Sequence, residues 1–161
     1  MSKWQWTQLL AFEGFWLLAV AGQNRWSLLT ALLLGVHFMF TPSRRADVRV
    51  LWLALLGMAV DLFLTLTGVF AFDHWPLWLG LLWVGFVLTL GHSLHWMRHF
   101  SLWLLMITGA LAGAGSYLAG WQLGAVSLPL GFWPSAVILA LLWSALLPLL
   151  VRLDQRLRRE A

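Results

Sequence analysis

Six apolar runs, each cut from the next by a short polar interruption, make up nearly the whole of this 161-residue chain. They read Trp4 to Ala21 (4–21), Trp26 to Thr41 (26–41), Val50 to Phe72 (50–72), Trp75 to Trp96 (75–96), Phe100 to Trp121 (100–121) and Phe132 to Val151 (132–151). The interruptions GQNR, TPSRRADVR, FDHWP, MRHFS and QLGAVSLPLGFWP combine Gly, Pro, Asn and charge as turns do. A bilayer core about 30 Å thick takes roughly 20 mostly apolar residues at about 1.5 Å each, which is the scale of these runs. The second run is the shortest, and the connection after Trp121 has room for a little interfacial structure. The pattern predicts an all-α transmembrane bundle of six spans, one integral membrane domain over 1–161 that ends in a basic tail at 152–161.

Composition and charge sharpen this reading. Hydrophobic residues are 61% of the chain and charged residues 10%, where a soluble domain averages about 25% charged. The formal charge of +4 does not point to nucleic acid, because the basic residues sit in short clusters between apolar runs. With six spans, Lys3, Arg44, Arg45, Arg49, Arg98, Arg152, Arg156, Arg158 and Arg159 share one side, and only Arg25 lies on the other. That asymmetry places both termini of a multi-pass membrane chain in the cytoplasm. The opening MSKWQWTQLLAFEGFW carries Glu13 and no small-residue cleavage site, so it reads as a retained first helix. There is no cysteine, hence no disulfide framework. Trp4, Trp6, Trp26, Trp75, Trp78, Trp96, Trp121 and Trp133 fall near span ends, where an indole prefers the membrane interface.

Loops this short leave chemistry to the few polar groups inside the spans. An ionisable side chain at the bilayer centre costs about 2.5 to 3.5 kcal/mol or more and is a functional candidate by default. Asp61, in mid-span with Gly57, Thr65 and Gly68 on its face, is the strongest of them. Asp61 and His92 are the expected catalytic pair. Glu13, His37, Thr89, His95, Ser116 and Tyr117 are the expected substrate contacts, the last two on a glycine-rich span in which Gly109 and Gly113, or Gly120 and Gly124, allow close helix approach. Alternating span directions put His37 and His92 at similar depth.

The stretch TLGHSLHWMRH sets His92, His95 and His99 on one helix face. The spacing is faintly like the histidine boxes of membrane desaturases, which use many more histidines, so no metal and no other cofactor is expected. His95, Arg98 and His99 read as the wet end of the helix, with His92 about a turn deeper.

The segments WPLWLGLLWVGFVLTLGHSLHW and GALAGAGSYLAGWQLGAV resemble an uncharacterised family of small six-helix bacterial inner-membrane proteins, a domain of unknown function. The most specific part is Leu-x-His-Ser-Leu-x-Trp, met here as Leu90, His92, Ser93, Leu94 and Trp96. A Gly-Pro pair is expected in that family where this chain has Gly113-Ala114-Gly115. The resemblance covers essentially the whole chain and implies a connection to envelope lipid. The tryptophan-rich sensory family, with five helices and a Trp-x-Pro-Pro motif, does not fit the charge count.

The leading expectation is therefore a membrane protein that binds or modifies a lipidic substrate, with membrane lipid as its partner. A small proton-coupled transporter and a non-catalytic membrane subunit are the alternatives. A membrane-protein partner or a second copy of the chain fits either, and nucleic acid fits none.

Overall fold

The computed structural model describes residues 3–159. The side chains of Trp4 and Gln5 are not among those described, so the expected interfacial position of Trp4 lies outside the described residues. The described chain is helical, with an isolated antiparallel bridge between Ala71 and Ser127 in two of its connections. We label the helices α1 (Lys3–Gly22), α2 (Ser27–Phe40), α3 (Arg44–Leu66), α4 (Leu77–Gly91), α5 (Leu102–Gln122) and α6 (Phe132–Arg159). Four helical runs are long and apolar enough to cross a membrane: Trp6–Phe40, Arg44–Leu66, Leu102–Gln122 and Phe132–Arg159; Leu77–Gly91 is shorter.

The run Trp6–Phe40 is not a single rod. A 3-10 turn, Gln23–Trp26, interrupts it, and Gln23 takes a left-handed φ of 48°. Asn24 in this turn donates to Trp75 O at 2.7 Å at the start of α4, whereas Gln8, early in α1, accepts from Ser93 N at 2.7 Å just past the end of α4. Those two bonds make α1 antiparallel to α4. The rings of His37 on α2 and His92 lie 5.4 Å apart, so the end of α2 meets the end of α4 and α2 runs back beside α1.

Three boundaries differ from the sequence expectation. TPSRRADVR is not all loop: α3 begins at Arg44 and ends at Leu66, where Thr67 and Gly68, at φ 77°, turn the chain. The run 75–96 is not one helix. It stops at Gly91, His92 leaves helical geometry at φ −119° and ψ −94°, and His95–His99 form a separate 3-10 turn. Most of the tail 152–161 is also helix, because α6 continues to Arg159 and buries Asp154. The expected structure after Trp121 is the bridge at Ser127.

Aromatic stacking organises the middle of the bundle. Trp83 on α4 lies parallel to Trp143 on α6, ring centroids 5.6 Å apart and planes within 1°. Gly57 on α3 and Gly113 on α5 flank the pair, and a Cβ at either would collide with the neighbouring indole. Gly109 in turn lies against the Trp143 carbonyl. Glycine is needed here so that backbone can reach an aromatic face. The segment Gly109–Gly113 is a π-helical turn between the two α-helical halves of α5. Trp78, expected at the interface, is instead buried against Phe72, while Trp6, Trp26, Trp75, Trp96, Trp121 and Trp133 are exposed.

Candidate functional site

Asp61 lies on the inner face of α3, only 4% exposed. Its carboxylate accepts from Trp83 Nε1 at 2.5 Å and from Tyr117 Oη at 2.8 Å, so one acid ties α3 to α4 and α5. Tyr117 is itself stacked on Phe70, with centroids 5.0 Å apart and planes 7° apart. Both donors that hold Asp61 also line a cavity of about 430 Å³, within the size range of small-molecule sites. The cavity separates α1, through Phe12, Glu13 and Trp16, from α5, and its floor is the Trp83 and Trp143 pair. Along α5 its wall runs from Thr108 to Gly120, roughly 18 Å at helical rise. Apart from Glu13, Thr108, Ser116 and Tyr117, the side chains that line it are apolar or aromatic. Glu13 is exposed at its rim.

A second polar centre forms at the end of the bundle where α2, α3, α4 and α6 meet. Asp47, fully buried, lies between His92 Nε2, at 2.9 and 3.0 Å from its two oxygens, and His37 Nε2, at 3.3 Å. Thr41 donates to the same carboxylate, and Arg158 Nη1 bonds it at 2.7 Å. Arg158 Nε also bonds Asp154 at 2.7 Å, and Asp154 accepts from Arg98 Nη2 at 2.6 Å. The result is a chain of alternating charge from Asp47 to Arg98, inside the protein at a place where the sequence suggested solvated loop and tail. His37, Asp47 and His92 each offer a ligand atom within 4.8 Å of the others, a spacing a divalent cation can use. In this arrangement the Arg158 guanidinium meets the charge of the carboxylate, and a cation there would sit against it.

Beside this network a pocket of about 420 Å³ is lined by His95, Arg98, His99, Gln155, Arg158 and Arg159. Burial, with Arg98 and His99 adding their charge, holds the His95 imidazole below its usual range.

The two residues expected to act together, Asp61 and His92, therefore belong to different centres. Asp47 and Asp61 are 14 positions apart on α3, about 21 Å along the axis and close to the same face. His37 does meet His92. His95 and His99 do not share a helix face with His92, because the helix has ended before them. Tyr117 and Ser116 reach the cavity wall, as Glu13 does, while Thr89 is buried and bonds Phe86 O at 2.6 Å within its own helix. Sequence reasoning missed Asp47, Asp154, Arg158 and Trp83. The available signals were that Asp47 falls on the face of Asp61 once α3 is extended, and that Asp154 precedes Arg158 by four residues.

No curated protein and no solved structure matches the chain. A family model described as Protein of unknown function (DUF2878) matches residues 5–149, which takes in Asp47, Asp61 and His92 and stops short of Asp154 and Arg158. The chain thus belongs to the DUF2878 family.

Proposed function

We propose that this protein crosses a bacterial inner membrane six times, with both termini in the cytoplasm, and binds the apolar chain of a membrane amphiphile in the cavity beside Asp61. The alternating helix directions and the nine-to-one placement of Lys and Arg support six crossings. On that topology α2 and α4, at 14 and 15 residues, need flanking turns or local thinning to complete a crossing.

The observation that carries the binding reading is the cavity itself: walled by α5 from Thr108 to Gly120, lined by Trp83 and Trp143, and bordered by the Tyr117 and Trp83 groups that hold a buried carboxylate. Trp143 Nε1, on a residue of the cavity floor, is a buried donor with no acceptor among the described residues, a group to which a ligand carbonyl or hydroxyl could bond. The cavity rather than the His37, Asp47 and His92 group is the favoured site, because the latter already satisfies its own charges.

Gly115 provides the test. It lines the cavity, and a Cβ there meets nothing within 4 Å. Gly115→Leu should fill the space without disturbing the fold, unlike a change at Gly113. Wild-type protein in mild detergent should carry a co-purified amphiphile in native mass spectra, and Gly115→Leu should lose it at unchanged melting temperature. Equal retention by both proteins would remove the cavity as the site.

A further inference from the structure

A chain moving from the bilayer into an apolar cavity exchanges one hydrocarbon environment for another, so the hydrophobic effect provides little affinity. Selective binding has to come from shape and from a polar group elsewhere on the ligand. The turn His95–His99 supplies the place for one. Met97 lines the apolar cavity, and the adjacent Arg98 lines the basic pocket with His95, His99, Gln155, Arg158 and Arg159. Two environments, one apolar and one cationic, therefore meet across neighbouring residues of one short turn.

Two residues that line the basic pocket also carry buried donors that lack acceptors among the described residues. The Arg158 side chain is only 8% exposed, yet its Nη2 has no partner among the described residues, and neither does Arg98 Nε. Arg158 Nε and Nη1 are committed to Asp154 and Asp47, and Arg98 Nη2 to Asp154. Two arginines, Arg98 and Arg158, face these two carboxylates, and Asp47 is shared with His37 and His92. Buried N–H groups of guanidinium are normally paired, and phosphate oxygens match them in charge and geometry.

We propose that the pocket formed by His95, Arg98, His99, Arg158 and Arg159 binds the phosphate of an anionic amphiphile whose chain occupies the neighbouring cavity. This rests on the cavity reading above and adds the class of ligand: a phosphate-bearing lipid. Snorkelling alone would leave Arg98 and Arg158 extended into water, whereas here both are drawn inward onto carboxylates.

The experiment measures binding of dioleoyl phosphatidate, dioleoylglycerol and inorganic phosphate to the purified full chain in a nonionic detergent. Three proteins are compared: wild type, the double variant His99→Gln with Arg159→Gln, and Gly115→Leu. His99 and Arg159 are exposed, so their replacement spares the buried network that Arg158 anchors. Phosphatidate should bind wild type about tenfold more tightly than dioleoylglycerol, as loss of charge-assisted hydrogen bonds implies. The double variant should reduce that preference several-fold, Arg98 and Arg158 being retained, and leave dioleoylglycerol binding intact, while Gly115→Leu weakens both lipids. Equal binding of the two lipids to wild type overturns the phosphate site but leaves the cavity standing. Binding of inorganic phosphate alone, sensitive to the double variant and with neither lipid retained, overturns the amphiphile and the cavity reading together.

Discussion

Asp61 is a single carboxylate facing two donors, and that arithmetic decides how it can be replaced. Asn offers one carbonyl to accept from Trp83 and an amide to donate to the Tyr117 oxygen, so Asp61→Asn keeps both bonds in altered polarity. Asp61→Leu strands an indole N–H and a phenol O–H in the interior, at about 1 to 3 kcal/mol each. Thermal unfolding in detergent should therefore give a small shift for Asn and a large drop for Leu; similar drops for both would mean that the negative charge itself holds the bundle. At the other centre His92 is buried on Asp47 while His99 is exposed, so His92→Gln should lower the melting temperature and His99→Gln should not. Chelator should leave the wild-type melting temperature unchanged, since Arg158 already neutralises Asp47. A fall on chelation that is absent in His92→Gln would establish a metal at His37, Asp47 and His92. Asp61 was legible in the sequence because it is a lone acid inside an apolar run. Asp47 was not, because three neighbouring arginines make its surroundings look like solvated loop.

Among the elements, apolar runs in the sequence mark where α1 to α6 lie, but not the 3-10 turns at Gln23–Trp26 and His95–His99, and the misplaced boundaries have tertiary causes. The end of α4 is the clearest case. Nothing in GHSLHW forbids a helix, but Arg158 from α6 packs where a Cβ on Gly91 would be, Asp47 captures His92, and Gln8 accepts the Ser93 N–H. Those contacts come from positions 45 or more residues away, beyond the reach of any local pattern. The glycine stripe of α5 was readable as a packing face, and Gly109 and Gly113 do meet Trp143. Gly124 is different: with φ at 71° and open space beside it, it serves the turn after α5. The π-helical turn at Gly109–Gly113 is also unreadable locally, since it arises where α5 is held against one indole on α6.

At the scale of the molecule, α3 and α6 act as the two rails of the bundle. Along α3, Asp61 fixes the centre and Asp47 the end; along α6, Trp143 floors the cavity and Arg158 closes the charged network. Two lined spaces follow from that layout, an apolar cleft between α1 and α5 and a cationic pocket beside its Met97 end. The charge pattern made the basic end visible in the sequence, but the cleft exists only because α1 and α5 stand apart across Trp83 and Trp143. The claim that this cleft holds a lipid chain is tested most directly by an experimental density map of the protein in lipid nanodiscs. We expect elongated density between α1 and α5, running past Ser116 and Tyr117 towards Met97. A cleft closed by inward rotation of Trp16, or filled by separate water peaks around Asp61 and Glu13, would contradict it.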